Sequence, residues 1–132
     1  MFVARLAKST FPLGIYLTAN QTINPYAEAA LSPIAALPSD AATPISGSNI
    51  VMPWAANGTV TFTCPSAFPN NSTSLVIEVN GTQVASATSS PVTWTGALHT
   101  GGTVTALVNH NNGGTFTITA GTANTYMTVT PS

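Results

Sequence analysis

Asn80-Gly81 stands between two runs of alternating residues, Ser74 to Val79 and Thr82 to Ala87, and no other feature constrains the chain so tightly. Asn-Gly readily supplies the two positive φ angles of a type I′ turn, whose twist matches that of paired strands, so a hairpin is predicted here. The turn sets the register: Val79 faces Thr82, Glu78 faces Gln83 and Ile77 faces Val84, with apolar against apolar and the carboxylate beside an amide. From Ile50 onward, short alternating runs recur between Gly, Asn and Pro. Thr59 to Cys64 places Val60, Phe62 and Cys64 on one face and threonines on the other, and further strands are predicted over 92–95, 103–109, 115–120 and 125–130. The pattern predicts an all-β chain in which residues 51–132 form an antiparallel β-sandwich.

Residues 1–50 read differently, because Pro12, Pro25, Pro33, Pro38 and Pro44 cut them into short pieces. This predicts an extended N-terminal arm over 1–50. Within it a strand is expected from Gly14 to Ala19, with Leu13, Ile15 and Leu17 on one side. Asn24 before Pro25 has the form of an N-cap followed by a first-turn proline, which predicts a short helix over 26–31. Phe2, Val3, Leu6, Phe11, Leu13, Ile15 and Leu17 are too apolar to be left in water, so the arm is expected to dock on a neighbouring copy or a larger assembly.

Charge narrows the function classes. Only 4% of the residues are charged, with a formal net charge of −1. An ordinary globular domain carries about 25%. Arg5 and Lys8 are the only basic residues, so phosphate neutralisation along a nucleic acid is excluded, as is a cationic membrane anchor. No run approaches a membrane span, and Pro12, Gly14 and Thr18 interrupt anything resembling a secretory leader, so assembly in a cytoplasm is expected. An uncharged surface is best tolerated where other protein covers it, which favours life in an assembly.

Residues that could carry chemistry are sparse. Glu28, Asp40 and Glu78 fall in separate segments, unlike a paired-carboxylate hydrolase. His99 and His110 are expected in loops with no Asp after Asp40 to orient them, and no Gly-x-Ser-x-Gly elbow occurs. Cys64 is the lone cysteine, expected in the core, and with the two histidines it lacks the close pairs of a zinc site. No enzyme activity, cofactor or metal is therefore expected. Trp54, Trp94 and Tyr126 could offer stacking faces beside Asn-rich loops, which makes sugar binding the alternative function.

The hairpin Leu75 to Ala85, then Trp94-Thr95-Gly96-Ala97-Leu98, Gly101-Gly102-Thr103-Val104 and Tyr126-Met127-Thr128-Val129, resembles the later half of the jelly roll in tumour-necrosis-factor-like and complement-head trimers. Leu98, Gly101 and Val104 match a Leu-x-x-Gly-Asp-x-Val element of that family, with Gly102 where the aspartate would stand. The order of elements also resembles charge-poor minor tail or capsid-decorating proteins of tailed phages of actinobacteria. The resemblance covers roughly Asn57 to Thr130 and implies a sandwich of jelly-roll type, a homotrimer, and a virion location beside other structural proteins. That span is short for eight strands, so either the arm or neighbouring copies must complete the roll.

Overall fold

The computed structural model describes residues 10–65, 68 and 72–132. In chain order the strands are β1 (Leu13–Leu17), β2 (Gln21–Ile23), β3 (Ala27–Ala30), β4 (Ile34–Ala36), β5 (Ile45–Ser46), β6 (Asn49–Val51), β7 (Ala56–Thr63), β8 (Thr73–Val79), β9 (Thr82–Ala87), β10 (Val92–Leu98), β11 (Thr103–His110), β12 (Phe116–Ile118) and β13 (Tyr126–Pro131). They build two antiparallel sheets packed as a sandwich. The first sheet has the order β10-β7-β13-β1-β4. The second runs β5-β6-β11-β8-β9, with β3 paired to the far half of β11.

Four pairs are nested one inside another: β1 with β13, β6 with β11, β7 with β10 and β8 with β9. A long hairpin rolled into two layers has this pairing, which is the winding of a jelly roll. Its innermost turn is Asn80-Gly81, with φ of 53 and 77. Asn80 Oδ1 also accepts the Thr103 amide at 3.0 Å, fastening the turn to the start of β11. Asn80→Ala loses that acceptor and keeps a left-handed φ that alanine resists, so a loss of about 1–2 kcal/mol is expected. A melting midpoint unchanged from the parent would show that the turn contributes nothing.

The arm expected over 1–50 is corrected from residue 13 onward. Leu13, Ile15 and Leu17 are fully buried in β1, which lies between β13 and β4 inside the first sheet. The arm therefore supplies the strands that the later segment lacked, and the sandwich crosses the boundary expected at residue 50. Period-two alternation predicts a buried face; it does not say whether that face meets the chain's own core or another copy. Phe11 is half-buried against the core, and its carbonyl accepts the Trp54 indole N–H at 3.1 Å. Phe2, Val3 and Leu6 lie outside the described residues.

Two local expectations also change. No helix forms after Asn24-Pro25: Tyr26 takes φ 53, and Ala27–Ala30 extends along β11 instead. In the hairpin, Val79↔Thr82 and Glu78↔Gln83 pair as expected, but Ile77 pairs with Ala85 across a bulge that leaves Val84 over. Without the bulge Ser86 would face Leu75 in the core; with it Ala85 and Ala87 face inward and Ser86 is exposed.

Both sheets contribute to the core, with Trp54, Phe62, Ile15, Leu17, Met127 and Ile77 among its largest side chains. A small third sheet, β2 with β12, buries Ile23, Phe116 and Ile118.

Candidate functional site

The first sheet turns a face outward that is built almost wholly from hydroxyls. Alternation within β7, β10 and β13 sends Val60, Phe62, Val92, Met127 and Val129 inward, so their neighbours in sequence point out. Cross-strand register aligns these into rows. Thr93, Thr61, Thr128 and Gly14 form one; Thr95, Thr59 and Thr130 form the next; Thr63, Tyr126, Tyr16 and Ala35 form a third. None of the five strands contains a Lys, Arg, Asp or Glu. The central positions Thr59, Thr61, Thr63, Tyr126, Thr128 and Tyr16 are half-buried, and Thr93, Thr95 and Thr130 are exposed. Thr59 and Thr95 share a hydroxyl hydrogen bond at 3.0 Å, so the face already satisfies part of its polarity internally.

The three aromatic residues singled out for stacking are dispersed. Trp54 is 1% exposed and spends its N–H on Phe11, so it is a core residue and offers no face to a ligand. Trp94 lies on the inward side of edge strand β10, half-buried against the core, with its indole folded across Gly96. Tyr126 alone stands on the outward face, opposite Tyr16.

The remaining chemistry stays scattered among the described residues. Glu28, Asp40 and Glu78 belong to β3, the 3-10 turn Pro38–Asp40 and β8. His99 is exposed, whereas His110, expected in a loop, ends β11 and is fully buried. Cys64 is buried and receives the Thr125 hydroxyl at 3.9 Å. Among the described residues no three His, Cys, Asp or Glu side chains gather as a metal site, no ligand-sized pocket is present, and no helix could cross a membrane.

His110 is instead a brace. Its Nε2 meets the Gly114 carbonyl, which can only accept, so Nε2 carries the proton; Nδ1 then accepts from the Thr73 hydroxyl at 2.8 Å. Phe116 lies beside the ring at 5.8 Å between centroids. The histidine thereby ties β8, β11 and the loop over 111–114 together.

No protein-family model matches the chain, and no curated protein matches it.

Proposed function

We propose that this chain is a non-enzymatic structural subunit of a bacteriophage virion, of the minor tail or capsid-decorating kind, that associates with copies of itself through the outward face of the first sheet. The observation that carries the reading is the threonine and tyrosine face of β7, β10 and β13, strands without a charged side chain, whose β1 margin is covered at Gly14 by Leu37 and the Asp40 carboxylate. Apposing the β7, β10 and β13 part of two such faces buries no ion, and threonine hydroxyls can exchange water for one another as Thr59 and Thr95 do within the subunit. A trimer is the proposed state, in keeping with the jelly-roll winding and the trimers it resembles. The residues before Thr10 are proposed to attach the subunit to other structural proteins of the particle.

Thr61 is the test position, because its neighbours Thr93 and Thr128 flank it on both sides and its side chain points away from the core. Thr61→Lys is expected to leave the melting midpoint within a few degrees and to weaken self-association at least about a hundredfold, since a lysine would be buried without a partner. Light scattering after size exclusion reads the mass, and particle pull-down reads incorporation. A parent chain that is monomeric at every concentration, or a Thr61→Lys variant that assembles like the parent, ends the proposal for this face.

A further inference from the structure

Tyr26 is 72% exposed, and Tyr26 and Ile45 are the only large apolar side chains exposed among the described residues. Its backbone sits at φ 53, where a bulky residue is uncommon and strained. The strain is held by the loop beneath. The Tyr26 amide donates to the Asn112 carbonyl at 3.1 Å, the Asn112 side chain accepts the Gly114 amide at 2.9 Å, and Gly114 is anchored by buried His110. Asn111, whose amide donates to the Ser72 carbonyl at 3.2 Å, completes the brace. The backbone that carries an exposed ring has thus been given a fixed position by a chain of bonds running into the core.

We infer that this corner is a binding site for a neutral carbohydrate. The flat, weakly polar face of a pyranose ring stacks on an aromatic ring, while its hydroxyls need donors and acceptors held around that ring. The corner supplies both. Asn111 is exposed, Asn112 is half-exposed with its Oδ1 engaged, and Glu28 and Asn109 stand opposite each other on exposed positions of β3 and β11, two to three residues along the chain from Tyr26 and Asn112. With one carboxylate nearby and no Lys or Arg among the described residues, the ligand is an uncharged sugar and not a phosphorylated or sulfated one. A braced loop also lowers the entropy lost when a small ligand binds. This site lies on the second sheet's side of the molecule, at β3 and β11, so it stands independently of the self-association face.

The test uses the full chain labelled with ¹⁵N and titrated with maltotetraose, cellotetraose and mannotetraose to about 10 mM, the range in which single-site sugar contacts are weak but measurable. The expected result is that one sugar shifts the amides of residues 26–29 and 109–114 saturably. Tyr26→Ala should weaken that binding at least tenfold, and Tyr26→Phe should keep it. Tyr26→Gly, which suits the left-handed backbone, separates folding from binding: it should melt no lower than the parent and still lose the sugar. The inference is overturned if none of the three sugars shifts these amides. It is also overturned if Tyr26→Ala binds like the parent, or if the same amides respond to protein concentration and not to sugar, which would assign Tyr26 to a contact between copies.

Discussion

A chain that starts at Ile50 is expected to be unfolded. It lacks β1, β2, β3, β4 and β5, and with them the buried side chains of Leu13, Ile15, Leu17, Ile23, Leu31 and Leu37. Burying six such groups contributes roughly 10–18 kcal/mol. A domain of this size has a net stability of only about 5–15 kcal/mol, so the remainder cannot hold. The gap left by β1 would also expose the ladder of β13, a long unpaired edge prone to aggregate. Circular dichroism should show no cooperative melting for this fragment, and recovery of a sharp transition would mean that β1 is dispensable. A chain starting at Thr10 keeps every described strand, and is the version that tests the attachment proposed for the first residues. It should fold and self-associate while failing to bind particles.

The second large effect is expected at His110. Leucine has a similar volume but leaves the buried Thr73 hydroxyl without an acceptor and gives up the bond to the Gly114 carbonyl, which sits on an exposed residue and can turn to water. The orphaned buried hydroxyl costs about 1–3 kcal/mol and the lost bond to the loop about 0.5–1.5 kcal/mol, so His110→Leu should lose about 2–4 kcal/mol in urea denaturation. Adding Thr73→Val removes the orphaned hydroxyl and should recover about 1 kcal/mol, because two apolar partners have nothing left unmade. The loop over 111–114 should exchange its amide hydrogens faster in the single variant. A His110→Leu chain as stable as the parent would refute the bracing role.

The parts of the fold legible in the sequence were those whose cause is local. Asn80-Gly81 names its own conformation, and the alternation of Thr59 to Cys64 names its own faces, so the hairpin and the sandwich class follow from short windows. The position of β1 does not. Its alternating Leu13, Ile15 and Leu17 fit an intramolecular core and a docked arm equally, and the deciding partner, Val129 to Met127, is nearly a chain length away. Asn24-Pro25 carries a genuine helix-start signal that tertiary pairing overrides, since four residues of β11 offer Ala27–Ala30 a ladder. The bulge at Val84 could have been found by asking which register keeps Ser86 out of the core.

The candidate site was less legible. Residue type alone points to Trp54 and Trp94 as stacking faces, and the structure uses both for packing. Tyr26 falls where Asn24-Pro25 predicts a helix, although the tyrosine after Asn-Pro and the Asn-Asn-Gly-Gly run at 111–114 are each turn-forming signals. Joining them requires the β3–β11 pairing, which no window of sequence contains. The hydroxyl face was half-visible, in the repeated Thr-x-Thr of Thr59 to Thr63, Thr93 to Thr95 and Thr128 to Thr130. Their alignment into rows depends on register between strands.

Nested pairing also dictates an order of events. The tip hairpin of β8 and β9 closes a two-residue turn, and such hairpins form in about 1–10 μs. The pairs outside it span progressively longer loops, and β1 with β13 spans nearly the whole chain. Each outer pair must bear a larger closure entropy before it gains a contact, so the roll is expected to zip from the tip outward and to fold in milliseconds to seconds. On the ribosome the consequence is sharper. Strand β1 emerges ahead of the other described strands and its partner β13 more than a hundred residues later, so at about 5–20 residues per second the edge of β1 that meets β13 waits for seconds unpaired, even after β4 has closed the other. A chain poor in charge has little to keep those waiting strands from finding one another on neighbouring ribosomes.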